Sequence, residues 1–230
     1  MEKNELLAAV PLRHSVRSYD GNALSAEHRA ALEARIAEIN EAVGLHIQLV
    51  PENGTYNSLP CKACGLRGIS DVIALVGPDT PDLDRTCGYW GEELVLLAQA
   101  LGLNTCWTGI YRRKHVAAAV APGEKVSIII AVGYGTHAGK PHKGKSFNDV
   151  ANVSAVLAAG AGEAAVPQWF VDGVECALLA PTAMNQQKFT FTLAADGQVR
   201  AEAPKGSYTQ TDLGIVEYHF ELASGHAVCQ

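Results

Sequence analysis

The sequence lacks several features that would place it in a familiar functional class. Its 230 residues include no apolar run of the roughly eighteen residues that a membrane-spanning helix needs. It contains no P-loop, no GxGxxG dinucleotide fingerprint, no GxSxG nucleophile motif and no zincin histidine pair. The common motifs for nucleotide binding and hydrolysis therefore do not explain this chain.

Positive charge is also scarce. The chain has 18 Lys and Arg residues against 24 Asp and Glu residues, which gives a net charge of −6. This balance argues against nucleic acids or anionic membranes as partners held by bulk electrostatics, so any bound anion must be held by a local cluster of cations. The charged N-terminus MEKNELL does not resemble a signal peptide, and we expect a cytoplasmic protein.

The cysteines are few and scattered, and we expect buried thiols rather than disulfides. Cys61 and Cys64 form a single CxxC pair, which could be redox-active or half of a zinc site. No second CxxC or paired histidines complete a zinc set, so we expect no metal. A redox or zinc protein built on this pair remains an alternative. The six cysteines are Cys61, Cys64, Cys87, Cys106, Cys176 and Cys229.

Hydrophobic patterning in the first part of the chain predicts alternating helices and strands. Ser25 is a suitable cap for a helix that ends at Gly44 and precedes the short strand HIQLV. The runs DVIALVG and VSIIIAVGYG are typical of strands buried on both faces. Between them, WGEELVLLAQAL from Trp90 to Leu101 predicts a central buried helix with acidic residues in its first turn.

The alanine- and glycine-rich stretch from Val153 to Pro167 is the best internal boundary. It predicts a first domain of residues 1–153, a connection of residues 154–166 and a second domain of residues 167–230. The second domain should begin with a helix that ends before Pro181, followed by the strand KFTFTL. Asp196-Gly197 predicts a hairpin with positive φ at both residues. DLGIVEYHFEL fits either a strand or a helix capped by Asp212, and we favour the helix.

Three polar segments could carry chemistry. Arg13, Ser15 and Arg17 alternate in RHSVRSY, so an extended backbone would project them to one side as an anion cradle. The alternative is an ordinary solvated N-terminal arm. The basic loop KPHKGKS, with His142, Lys143 and Lys145, could bind phosphate or be a flexible surface connection. The third segment, APTAMNQQ, concentrates amide side chains at one turn.

Together, RHSVRSYD, LGLNTCWTG, the strand ending in GYG with HKGKS beyond it, and APTAMNQQKFTF resemble the FMN-dependent nitroreductase family. The resemblance implies that cations near the N-terminus and in the basic loop hold the FMN phosphate. It implies that the backbone after the central helix donates toward flavin N5, and that the late turn lies along the flavin ring. The phosphate residues would be Arg13, His14, Ser15, Arg17, Lys143 and Lys145. The residues near the ring would be Trp107, Thr108, Gly109, Pro181, Thr182, Ala183 and Asn185.

The order of these motifs departs from the family's usual pattern, in which the ring-facing turn comes early and the homodimer lends it to the partner's flavin. Here the corresponding early segment is EAVG, and the polar turn comes late. The chain thus resembles the subgroup of putative TM nitroreductases, in which one polypeptide mimics the dimer. The resemblance implies an α+β fold, with a mixed, mainly antiparallel sheet surrounded by helices, and a monomer with one FMN per chain.

The implied activity is hydride transfer from NAD(P)H to FMN, followed by electron transfer to an electron-poor acceptor such as a nitroaromatic or a quinone. The cofactor carries this chemistry, so no side chain is predicted to be an obligatory catalyst. The alternative is a protein that binds FMN for storage or sensing without turnover. That alternative is suggested by the early segment EAVG, which lacks the polar residues of the late turn. The lack of a recognisable nicotinamide-binding motif also favours it.

Overall fold

The computed structural model describes residues 2–154 and 166–229, and these form helices packed around two sheets. Within these residues the helices are α1 (Lys3–Ala9), α2 (Ala26–Val43), α3 (Leu59–Ala63), α4 (Leu83–Ala100), α5 (Phe147–Val150), α6 (Gln168–Leu178) and α7 (Thr209–Ser224). The strands are β1 (Gln48–Pro51), β2 (Asp71–Pro78), β3 (Asn104–Thr108), β4 (Glu124–Gly133), β5 (Ala151–Asn152), β6 (Thr190–Leu193), β7 (Val199–Glu202) and β8 (Val228–Cys229). The α+β class expected from the resemblance is confirmed.

The first sheet has the order β1-β2-β4-β3, and its strand pairs are all antiparallel. One face, including Ile73 and Ile130, packs against α2 and α4, and α1 packs on α4. The opposite face, including Ile129, packs against the N-terminal segment and the chain around Tyr56. Because both faces are covered, DVIALVG and VSIIIAVGYG are apolar without alternation, as predicted.

The second sheet has the order β5-β6-β7-β8 and mixes parallel with antiparallel pairs. Its core contains four buried aromatic rings, Phe170, Phe189, Phe191 and Phe220, with α6 and α7 against it. The predicted hairpin at Asp196-Gly197 joins β6 to β7. Positive φ occurs at Gly197 (85°) but not at Asp196, so the prediction was wrong about Asp196. A longer loop closed by Ala194 and Gln198 needs only one left-handed residue.

The long helices α4 and α7 cross closely. Their crossing joins the two halves of the chain, one built on the first sheet and the other on the second. An added Cβ at Gly88 would lie 2.1 Å from the carbonyl oxygen of Thr211, and one at Gly214 would lie 2.0 Å from that of Arg85. Side chains at these two positions would therefore collide with the backbone of the facing helix. The glycines set how closely the halves approach.

Two helix ends differ from the sequence prediction. The predicted central helix begins at Leu83 rather than Trp90, so Glu92 and Glu93 lie inside it and are buried. The favoured helical assignment of DLGIVEYHFEL is confirmed as α7, but its N-cap is Tyr208 and not Asp212. In contrast, α2 has the predicted ends: the Ser25 hydroxyl accepts from the His28 N–H, and Gly44 is left-handed.

The predicted connection between the two domains lies largely outside the described residues. Strand β5 precedes the predicted boundary at residue 153 yet pairs with β6 of the second sheet. Along residues 2–154 and 166–229, no helix has both the length and the apolarity required to cross a bilayer.

Candidate cofactor site

A cavity of about 370 Å³ lies between the two halves of the chain. One wall comes from the N-terminal segment and the end of β3, and the other comes from the turn after α6 and the start of α7. Eight of the thirteen predicted site residues line it: Ser15, Arg17, Trp107, Thr108, Gly109, Pro181, Thr182 and Ala183. The structure thus brings together segments that are more than 160 residues apart in the sequence.

The wall from the first half is an open edge of a sheet. Strand β3 is the last strand of the first sheet, and the N-terminal segment covers only its beginning, where the Val16 N–H donates to the Thr105 carbonyl at 3.0 Å. Residues 106–110 continue past that point and line the cavity. In the described chain no strand pairs with this stretch on its outer side, so its backbone donors and acceptors can meet a ligand.

The wall from the second half contains a strained turn after α6 and a strained residue, Tyr208, at the start of α7. Met184, Asn185, Gln187 and Tyr208 all have φ between 47° and 62°, and in the described residues these are the non-glycine residues with positive φ. Each lines the cavity or adjoins a residue that does. Left-handed backbone at non-glycine residues costs roughly 1–3 kcal/mol each, and such strain clusters at functional sites.

Asp212 holds this turn from the first part of α7. Its two carboxylate oxygens lie 2.9 and 3.0 Å from the Ala183 N–H, which donates to them, and the residue lines the cavity. Burial raises the pKa of Asp212 to about 6, against the opposing effect of the bond from Ala183. The sequence showed only a helix-capping residue here, because its partner is 29 residues away.

We expect Asp212→Asn to stabilise the ligand-free protein at pH 7.5 by about 2 kcal/mol. The folded-state pKa of about 6 lies above the ordinary 3.8, so ionisation costs stability above pH 6, and this cost disappears as the pH falls toward 4. The asparagine oxygen can still accept from Ala183. Urea unfolding at several pH values measures the gain, which should shrink below pH 6.

The exposed residue Asp196 provides the matched control, because Asp196→Asn should leave stability nearly unchanged at every pH. If Asp212→Asn destabilises the protein at pH 7.5 as much as at pH 4, the burial cost assigned to the Asp212 carboxylate is wrong.

Tyr208 forms a direct contact between the two halves at the cavity. Its hydroxyl donates to the Gly109 carbonyl at 3.0 Å, and a Cβ added at Gly109 would lie 2.4 Å from the Tyr208 ring. The resemblance implied Gly109 near the flavin ring, whereas Tyr208 was not predicted, since no local signal marks a left-handed tyrosine. The glycine is needed to admit the Tyr208 ring as well as any ligand.

The predicted phosphate residues divide into two groups. Arg17 is exposed and lines the cavity, whereas the predicted loop residues Lys143 and Lys145 do not line it. The loop is instead tied to the strained turn: Asn185 donates to the Lys143 carbonyl at 2.9 Å, and the Lys145 ammonium donates to the Gln187 carbonyl at 2.7 Å. The structure therefore attaches this basic loop to one wall of the cavity.

Arg13 and His14 occupy a different environment from the one predicted. Arg13 is only 3% exposed and does not line the cavity, and its Nε lies 3.7 Å from a Glu92 carboxylate oxygen. Half-buried His14 follows it, and burial together with the Arg13 charge lowers the pKa of His14. The alternation that suggested one common face holds for Ser15 and Arg17, but Arg13 turns into the core.

The two cysteines of the CxxC pair lie in different environments in this structure. Cys61 is buried and its thiol contacts Ser58 and the Ile110 carbonyl, while Cys64 is exposed and lines the cavity. Buried Cys106 also lines the cavity, and all six cysteines are free thiols.

A second cavity, of about 430 Å³, lies under the chain from Glu52 to Ile69. It contains none of the predicted site residues. We therefore treat the cavity between the halves as the candidate site.

Comparison with known families matches this architecture to one family over almost the whole chain. The model described as "Putative TM nitroreductase" matches residues 5–224. The chain belongs to this nitroreductase family. Comparison with curated proteins gives no significant match.

Several solved structures of nitroreductases are similar to this chain. A putative nitroreductase from Thermotoga maritima is 21% identical, with a TM-score of 0.62, over 95% of this chain and 82% of its own. A putative NADH dehydrogenase/NAD(P)H nitroreductase from Bacteroides thetaiotaomicron is 19% identical, with a TM-score of 0.50, over 63% of this chain and 95% of its own. A Bacteroides fragilis nitroreductase with bound FMN is 19% identical, with a TM-score of 0.45, over 62% of this chain and 94% of its own.

Proposed function

We propose that the cavity between the halves binds one FMN per chain and that the protein is an FMN-dependent oxidoreductase. In this proposal NAD(P)H is the hydride donor, and an electron-poor small molecule such as a nitroaromatic or a quinone is the acceptor. The observation that carries the proposal is that one cavity, in a member of a nitroreductase family, is lined by both the β3 edge and the late polar turn.

The residues of the cavity fit a flavin in shape and chemistry. Small side chains at Pro181, Thr182 and Ala183 leave room for a flat ring, and the open edge of β3 offers backbone hydrogen bonds to it. Arg17 would supply a cation for the phosphate at the cavity, and the attached basic loop would add positive charge beside that wall. Bound FMN would supply hydride chemistry, while these residues would bind it, orient it and limit the access of water.

The proposed arrangement is a pseudo-dimer within one chain. A match over 63% of this chain covers 95% of the Bacteroides thetaiotaomicron chain. In this proposal the remainder of this chain takes the place of a second subunit. We expect a monomer that binds FMN at one equivalent per chain. Gel filtration with absorbance at flavin and protein wavelengths tests both numbers.

The deciding experiment is anaerobic stopped-flow mixing of the FMN-loaded protein with NADH and, separately, with NADPH. Bleaching of the flavin absorbance by either donor, followed by its return on adding a nitroaromatic or a quinone, supports the oxidoreductase. FMN that binds but does not bleach with either donor would favour the storage or sensing function. Protein that stays colourless after soaking with FMN would refute both.

We expect Arg17→Ala to weaken FMN binding by about tenfold or more, because a charged hydrogen bond to phosphate contributes roughly 1.5–3 kcal/mol. Arg17 is preferred to Arg13 for this test because it is exposed, so its removal does not disturb the core. Fluorescence titration with FMN measures the affinity. Riboflavin, which lacks the phosphate, should bind the variant and the native protein equally.

Arg200, exposed on β7, supplies the charge-matched control. Arg200→Ala should leave the affinity for FMN unchanged. An Arg17→Ala variant that binds FMN as tightly as the native protein would contradict the proposed contact between Arg17 and the phosphate.

A further inference from the structure

Glu92, in the middle of α4, is a charged residue that is fully buried behind the cavity. One carboxylate oxygen accepts a hydrogen bond from the Trp107 indole N–H at 2.8 Å. The other lies 2.9 Å from His219 Nε2 and 3.7 Å from Arg13 Nε. One carboxylate thus connects the cavity wall, the N-terminal segment and the second half of the chain.

The geometry around His219 favours a charged imidazole, and the Cys176 thiol also lies 3.8 Å from its Nδ1. Its Nε2 faces the Glu92 carboxylate, and its Nδ1 lies 3.2 Å from the Cys176 carbonyl oxygen. Both neighbours are hydrogen-bond acceptors, so both bonds form together only when each ring nitrogen carries a proton. Burial alone would lower the pKa of His219, but its hydrogen bonds with Cys176 and Glu92 raise it to about 9.

The cluster of Arg13, Glu92 and His219 therefore contains two positive charges and one negative charge. One NH₂ group of Arg13 donates a hydrogen bond to the Leu179 carbonyl at 3.3 Å. The buried Nε of Arg13 has no hydrogen-bond partner among the described residues. A buried excess of positive charge is costly unless an anion lies nearby. Arg13 and His219 therefore share one carboxylate, that of Glu92.

Helix α4 also shapes the position of Trp107 by leaving space for it. A Cβ at Gly91 would lie 2.5 Å from the indole ring. Gly91 and Glu92 are adjacent, so the same helical turn makes room for the ring and binds its N–H. The cavity-facing part of Trp107 is thereby fixed from behind.

We propose that Glu92 is a positioning residue for the cofactor cavity. Its carboxylate holds Trp107 and Arg13 in place, and it needs His219 from the second half to do so. The part of this inference that concerns FMN rests on the proposed function. The carboxylate does not reach the ligand. It acts through the two residues that it orients.

Glu92→Gln tests this inference, with Glu93→Gln as the matched control. Glu93 is the next residue of the same helix and is also buried, but it pairs with Arg35 on α2, away from the cavity. We expect Glu92→Gln to weaken FMN binding by about tenfold or more at temperatures where circular dichroism shows a folded protein. Glu93→Gln should leave the FMN affinity within about twofold.

The Trp107 indole resonance in a ¹⁵N-correlated NMR spectrum gives a readout that needs no cofactor. In ligand-free protein it should move when Glu92 becomes Gln and stay in place when Glu93 becomes Gln. Equal FMN affinity for Glu92→Gln and native protein would overturn the inference. If native protein itself fails to bind FMN, the proposed function fails, and an unmoved Trp107 resonance in Glu92→Gln would then overturn the positioning role separately.

His219→Gln is the second variant, should Glu92→Gln not fold. It removes the positive charge but retains an amide that can donate to Glu92. We expect it to weaken FMN binding several-fold and to shift the Trp107 resonance in the same direction as Glu92→Gln. Native affinity together with a native resonance would contradict the requirement for His219.

Discussion

Gly88→Ala should destabilise the protein by about 3 kcal/mol or more, although alanine is the better helix former. In an open helix the change would gain about 1 kcal/mol. Here the new methyl carbon would lie 2.1 Å from the Thr211 carbonyl oxygen, so α4 and α7 would have to separate. Because backbone cannot rotate away as a side chain can, the steric cost exceeds the gain in helix propensity. Urea unfolding followed by circular dichroism measures the difference.

Gly144→Ala is the control for this change, because nothing lies closer than 4.0 Å to its added Cβ. We expect a change within about 0.5 kcal/mol for that variant. Gly214→Ala should resemble Gly88→Ala, and combining the two should cost less than the sum, since both force apart the same crossing. A Gly88→Ala protein as stable as the native one would show that the halves are not held at this separation.

The native protein should lose about 3 kcal/mol of stability between pH 6.5 and pH 9 through His219. The folded-state pKa of about 9 lies above the ordinary 6.5, so the folded protein binds this proton more tightly than the unfolded chain does. The resulting stability is fully present below pH 6.5 and is lost as the pH rises through 9. Unfolding free energies at intervals of half a pH unit measure the slope.

His219→Gln should flatten this slope, and His137→Gln should leave it unchanged because His137 is exposed. The steepest loss is expected at about pH 7.8, midway between the two pKa values, where the folded protein keeps the proton that the unfolded chain has released. A native protein with equal stability at pH 6.5 and pH 9 would mean that the imidazole is neutral in the core.

The sequence was sufficient for the elements whose signals are local. The helix from Ala26 to Val43 has its cap and its terminating glycine in the sequence, and the two central strands have continuous apolar runs. The start of α4 was misplaced because residues 83–89 mix polar and apolar types, and their burial against α7 is decided by packing.

The functional roles of buried charges were harder to predict, because their partners are distant in the sequence. Glu92 and His219 are 127 residues apart, and no spacing rule connects them. Asp212 was predicted as a cap, which is the ordinary role of aspartate near a helix start, but its carboxylate serves the turn at Ala183. The family resemblance pointed to Arg13 but gave no information on its buried neighbours Glu92 and His219.

Placing both walls of the cavity on one polypeptide has a consequence for how the site responds to dilution and to mutation. Two separate subunits part when their concentration falls below the dissociation constant, whereas tethered walls keep an effective local concentration that does not depend on the amount of protein. A substitution in such a chain also alters one wall only, whereas in a homodimer it would occur in both subunits. The sequences near Pro181 and near Arg17 can therefore change independently.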